Sequence, residues 1–223
     1  MPNEHPSTAI ENTFRRAVSA FQSADVPFLL GGSLASWARG GPQSRNDLDF
    51  IVRPQDAERA LAALADGGMR PQQPPEDWLL KAWDGEVLVD VIFKPIGVAV
   101  DDGVFERADA LDVLAMRVLV MSLEDVMVSK LLALNDHALD LEPALQIARA
   151  LREQIDWAQV RERTEPSAYA AAFFTLIERL ELVRDESRET ARADRKRIRV
   201  VPDPAGGSQG GQAGDHLASP GST

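Results

Sequence analysis

The chain has 223 residues, 44% of them hydrophobic, no cysteine and a formal net charge of -11, which suits one large domain or a domain with a helical extension. The lack of cysteine excludes a disulfide framework and thiolate metal sites, and the apolar runs are too short to span a bilayer. The excess of carboxylates disfavours sequence-independent binding along a phosphate backbone, and without a basic, apolar leader the chain reads as cytoplasmic, with no membrane partner.

Ile10, Phe14, Ala17, Val18 and Phe21 recur at three- and four-residue steps, so Ala9 to Phe21 reads as an amphipathic helix. Val26 to Leu30 reads as a buried strand, broken by Gly31 and Gly32. A short helix from Leu34 to Arg39 follows, with Ser33 placed to cap it. Leu48 to Val52 is the next strand. Pro54 then opens a helix whose stripe is Ala57, Ala60, Leu61 and Leu64 and whose end is Gly67-Gly68. Trp78 to Trp83 and Val87 to Phe93 are β-like runs joined at Asp84-Gly85, a signal for a tight hairpin.

A polar loop is expected around Asp101 to Gly103, then a short strand at Leu119 to Met121. Ser122 and Asp125 open the next helix as a capping-box type pair. Helices are expected at Glu124 to Asn135, Leu141 to Gln154, Asp156 to Arg163 and Tyr169 to Leu182. From Arg184 the chain is charged, and from Pro202 it is rich in Gly, Ser and Pro, with too little apolar surface to offset ordering. The expected division is a core at residues 1–120, a helical subdomain at 121–183 and a disordered tail at 184–223. The fold class is α/β: a small mixed sheet flanked by helices, followed by the carboxyl-terminal helical subdomain.

The chemistry concentrates at Asp47-Leu48-Asp49, whose two carboxylates leave one face of a strand. Like charges held so close suit a divalent cation such as Mg2+, which takes oxygen ligands and bridges carboxylates to nucleotide phosphates. Asp90 lies between β-branched residues in Val87-Leu-Val-Asp-Val-Ile-Phe93 and needs a partner to offset its desolvation. If that strand lies beside Leu48 to Val52, Asp90 completes a triad that holds metal or deprotonates an acceptor hydroxyl during nucleotidyl transfer. Gly31 and Gly32 let backbone N–H groups approach an NTP triphosphate closely, and Ser33 adds a hydroxyl.

Gly31-Gly32-Ser33, a short helix, Asp47-Leu48-Asp49 and a later Asp90 resemble the signature of the polymerase-β-like nucleotidyltransferases. The resemblance spans about residues 25–135 and is closest to the minimal bacterial group that includes AbiEii-like toxins, with the antibiotic-modifying nucleotidyltransferases more distant. It implies a Mg2+-dependent enzyme with an NTP donor and, as acceptor, either a tRNA 3' end or a small molecule. It also implies an antitoxin-like protein partner if the toxin type holds; a catalytically silent nucleotide-binding partner protein is the remaining alternative.

That group carries a lysine on the helix after the sheet, which Ser122-Leu-Glu-Asp-Val-Met-Val-Ser-Lys130 matches. Lys130 also stands near a seam of Val126, Met127, Leu131 and Leu134, within reach of a triphosphate. Lys81, Arg39 and Arg45 read as surface charges, and Arg39 is the best placed of them to meet the nucleotide. His137 reads as a capping or surface histidine, and Trp37, Trp78 and Trp83 as packing residues.

Overall fold

Alternation of apolar side chains along three central strands determines which side of the sheet is buried. The computed structural model describes residues 8–42 and 47–183. By its contacts the chain divides into a unit Met1–Arg184 and a unit Asp185–Thr223, and every described residue belongs to the first. The expected tail, and Arg45, lie outside the described residues.

The elements are α1 (Thr8–Ser23), β1 (Phe28–Leu30), α2 (Gly32–Trp37), β2 (Asp47–Val52), α3 (Ala57–Asp66), β3 (Arg70–Gln72), β4 (Leu79–Asp84) and β5 (Val87–Ile92). Then come α4 (Asp102–Glu106), β6 (Asp109–Val113), β7 (Met116–Val120), α5 (Leu123–Leu132), α6 (Glu142–Leu151), α7 (Trp157–Thr164) and α8 (Ala168–Arg179). The strands form one mixed sheet in the order β3-β4-β5-β2-β1-β7-β6. β2 runs parallel to β5 and antiparallel to β1, while β4 is antiparallel to β5.

Leu48, Phe50 and Val52 of β2, Val87, Val89 and Val91 of β5, and Leu80 and Ala82 of β4 are buried. They share the sheet face covered by α1 and α3. Phe50 stands at its centre, with the Phe14 and Phe21 rings of α1 at 6.1 and 5.1 Å between centroids, spacings at which aromatic pairs add to plain burial. By strand parity the other face carries Asp47, Asp49, Lys81, Leu88 and Asp90, all only partly buried.

α5 is the hub of the helical part and packs against α2, α6, α7 and α8. Ser122 caps it, its Oγ accepting the Asp125 N–H at 3.2 Å. Asp125 itself has a fully buried side chain held by two arginines. Arg107 donates through Nε at 2.6 Å and Nη2 at 3.1 Å, and Arg163 of α7 approaches to 2.6 Å. Burial pushes this carboxyl up, but the hydrogen bonds and charges of Arg107 and Arg163 outweigh it and leave the group below its usual range. The pair thus ties the end of α4 to α5 and α7. Among the described residues no helix is long and apolar enough to cross a membrane.

The structure corrects several local expectations. Asp101 to Gly103 is no loop: Asp101 caps α4 by accepting the Val104 N–H. Ser33 does not cap α2, whose N-cap is Gly31. The β4–β5 turn is Gly85-Glu86, because Asp84 pairs with Val87. β3 and β6 are additional edge strands, mostly exposed and so without an apolar alternation to announce them.

Candidate active site

Register builds the site. Asp49 is the direct neighbour of Asp90 across β2 and β5, and Asp90 faces Lys81 across β5 and β4. On the other side of Asp49, the Gly31 N–H donates to the Asp49 carbonyl at 2.8 Å. One row across the sheet therefore reads Lys81, Asp90, Asp49, Gly31, with Asp47 two residues from Asp49 on the same face.

Gly32 begins α2 with φ +55, and a Cβ built there would stand 1.6 Å from Asp49 Oδ2. The position therefore requires glycine twice over: for its left-handed backbone and for the carboxylate lying against it. The Asp49 carboxylate thus lies beside the backbone of the glycine turn. Ser33 follows in the first turn of α2 and is partly buried.

The carboxylates sense one another. Asp49 is pushed up to about 7, first by loss of solvation and then by the charges of Asp47 and Asp90. Asp47 is also raised, mainly by burial, with Asp90 adding to the effect and its own backbone hydrogen bond opposing it. Lys130 and Lys81 act the other way on both groups. Lys130, a partly buried residue of α5, thus brings its charge to bear on the β2 carboxylates.

Three carboxylates on one face supply hard oxygen donors with excess negative charge, and a divalent cation would offset the lost solvation, and after it the mutual repulsion, that raise Asp49. The donor chemistry fits Mg2+. Among the described residues, however, no three ligating side chains are already gathered around a point where an ion would sit. Asp90 already has a cation against it, its Oδ1 accepting a hydrogen bond from Lys81 Nζ at 3.0 Å.

Asp47, Asp49, Asp90, Gly31 and Gly32 are brought together, and Lys130 acts electrostatically on the same cluster. Arg39 is not presented to it. Its side chain is only 8% exposed, and its donors go to the Ala35 carbonyl at 3.1 Å, Asp109 of β6 at 2.8 Å and the Val120 carbonyl of β7 at 3.3 Å. A partly buried guanidinium with these acceptors holds α2 to the β6–β7 hairpin. Lys81, read from sequence as a surface charge, lies instead within the site. The signal that finds it is hairpin register: once Asp84 pairs with Val87, residue 81 must stand opposite residue 90.

The family described as uncharacterised nucleotidyltransferase matches residues 3–183. Among solved structures, the antibiotic-resistance factor ANT(2'')-Ia in solution superposes with a TM-score of 0.51 at 17% identity, over 86% of this chain and all 100% of that one. ANT(2'')-Ia in complex with adenylyl-2''-tobramycin gives 0.49 at 18% identity, over 75% and 98% of the two chains. The lincosamide antibiotic adenylyltransferase LnuA with lincomycin bound gives 0.45 at 14% identity, over 61% and 93%. The first of these supports a shared fold. Among curated proteins nothing matches the chain.

Proposed function

The chain belongs to the family of uncharacterised nucleotidyltransferases, and from that premise we propose that it moves a nucleoside monophosphate from an NTP to a hydroxyl of a small-molecule acceptor. The observation that carries the reading is the row itself. Asp49 lies against Gly32 on one side and beside Asp90 on the other, so the glycine turn and a second carboxylate flank it.

In this reading Asp47 and Asp49 hold Mg2+, and the backbone of Gly31, Gly32 and Ser33 receives the phosphates. Lys130 neutralises charge on the triphosphate. When bound, Mg2+ stabilises negative charge on the oxygens of the α-phosphate. The acceptor oxygen forms a bond to the α-phosphorus, the bond to the bridging oxygen of the β-phosphate breaks, and pyrophosphate leaves. Asp90 takes the hydroxyl proton at Oδ2, the oxygen that Lys81 does not engage.

The formal charge of -11 argues for a small acceptor over RNA, because a tRNA backbone would be repelled by so acidic a protein. The toxin type, with its tRNA acceptor and antitoxin-like partner, is the reading this disfavours. The test is incubation of the protein with α-labelled NTPs and Mg2+, once with hydroxylated small molecules and once with bulk tRNA. Pyrophosphate release with label in a small molecule, lost in Asp49→Asn, is the expected result. Label in the tRNA would return the toxin type, and nucleotide binding without transfer to any acceptor would favour a silent binding protein.

A further inference from the structure

We propose that the Lys81 ammonium is a resident cation of this site, occupying the position on Asp90 where a second divalent ion would otherwise bind, so that the protein takes one divalent ion, on Asp47 and Asp49. The inference rests on the carboxylate row being the nucleotidyl-transfer site and goes beyond it by assigning a residue and a metal count.

Two observations lead there. Lys81 Nζ lies 3.0 Å from Asp90 Oδ1, with side-chain exposures of 22% and 14%, so the pair is sheltered from the solvent that makes surface pairs weak. Its position is dictated by the backbone: Lys81, Asp90 and Asp49 are consecutive neighbours across three strands. An ammonium on the outer member of a carboxylate row does part of what a metal ion does there, neutralising charge and fixing one carboxylate oxygen. It leaves Oδ2 of Asp90 for the acceptor proton. A dication approaching Asp90 must displace Lys81 or be repelled by it, whereas one approaching Asp47 and Asp49 meets a carboxylate surplus.

The test is Mn2+ binding to the full-length protein without nucleotide, read by electron paramagnetic resonance of free Mn2+ and by calorimetry. Wild type is expected to bind one ion, and Asp49→Asn to lose it. Lys81→Met is expected to bind Mn2+ about tenfold more tightly or to gain a second ion, the scale of one neighbouring charge removed from a hydrated site. Lys81→Arg should behave as wild type, and adding Asp90→Asn to Lys81→Met should abolish the gain.

A Lys81→Met protein with the wild-type affinity and stoichiometry, and an unchanged melting temperature, would overturn the role of Lys81 while leaving the site intact. So would a gain that survives Asp90→Asn. If wild type itself binds no Mn2+, or binds it undiminished in Asp49→Asn, the carboxylate site fails and the inference fails with it. Two ions on wild type would contradict the inference alone.

Discussion

Single atoms decide whether this site forms, and Gly32 and Asp49 are the sharpest case. A methyl group at position 32 collides with Asp49 Oδ2 and sits on a left-handed backbone. Gly32→Ala is therefore expected to weaken Mg2+-dependent nucleotide binding by at least about tenfold, since left-handed strain alone costs roughly 1–2 kcal/mol. Calorimetry on the variant checks this, and unaltered affinity would show that Asp49 can turn away without consequence. Asp49 also carries a pH signature. Its carboxyl rises from 3.8 to about 7 in the folded chain, so the native state holds a proton that the unfolded state releases. The sign follows: without metal, stability falls as pH rises from about 4 to about 7 and then levels. In EDTA, Asn at position 49 should melt above wild type at pH 8, with the gap narrowing towards pH 5. A wild type that melts higher than the variant at pH 8 would contradict the cost of ionising the buried Asp49 beside Asp47 and Asp90.

The same residues show what the sequence discloses. Asp47, Asp49 and Asp90 are legible because a period of two puts Asp47 and Asp49 on one face, and because a charge in a β-branched run needs a reason. Lys81 is not, because its partner depends on the hairpin turn. A turn at Asp84-Gly85 would pair residue 81 with residue 88, whereas the observed turn at Gly85-Glu86 pairs it with Asp90. A one-residue slip in the loop moves the partner by a whole same-face step. Arg39 misleads for a different reason: the chain position of a short helix says nothing about which distant acceptors its side chain will meet, and Asp109 and Val120 lie on strands seventy or more residues away.

At the scale of elements, helices are readable because caps and apolar stripes are local. Ser122, Asp156 and Ser167 cap α5, α7 and α8, and the sequence marks each start. The β6–β7 hairpin is only half visible because its turn is Leu114-Ala115, with φ of 48 and 65, where a tight hairpin normally uses Asn or Gly. Arg15 of α1 donates to the Leu114 carbonyl at 3.3 Å and helps hold this costly turn. Ala115→Gly should accordingly raise stability by about 1 kcal/mol, read as a higher melting temperature; a lower one would mean that the alanine methyl packs usefully.

Asp125 joins elements more decisively. Truncation to Ala strands two arginines and is expected to cost about 3–5 kcal/mol, measured by urea unfolding. Because its carboxyl lies below the usual 3.8 when folded, its stabilisation is present above that value and is lost as pH falls through the folded value. Asp125→Asn should flatten the acid limb of stability against pH.

For the whole molecule, the division of labour follows from one buried and one part-exposed sheet face. The α1 and α3 side supplies the apolar anchor, and the opposite side is free to carry charge that would be intolerable in a core. α5 connects that face to the helical part, since it bears Lys130 on a helix that also packs on α2, α6, α7 and α8. A donor nucleotide gripped by Gly31 to Ser33 and Lys130 would therefore touch both the sheet and the helices, and its binding is the property on which everything else depends. The most direct measurement is calorimetry with ATP, CTP, GTP and UTP, with and without Mg2+, on wild type and on the Asp47→Ala, Asp49→Ala double variant. Mg2+-dependent binding of at least one nucleotide to wild type, and its loss in a variant that still folds, is the expected result. Binding that ignores Mg2+ and survives the double substitution would contradict it.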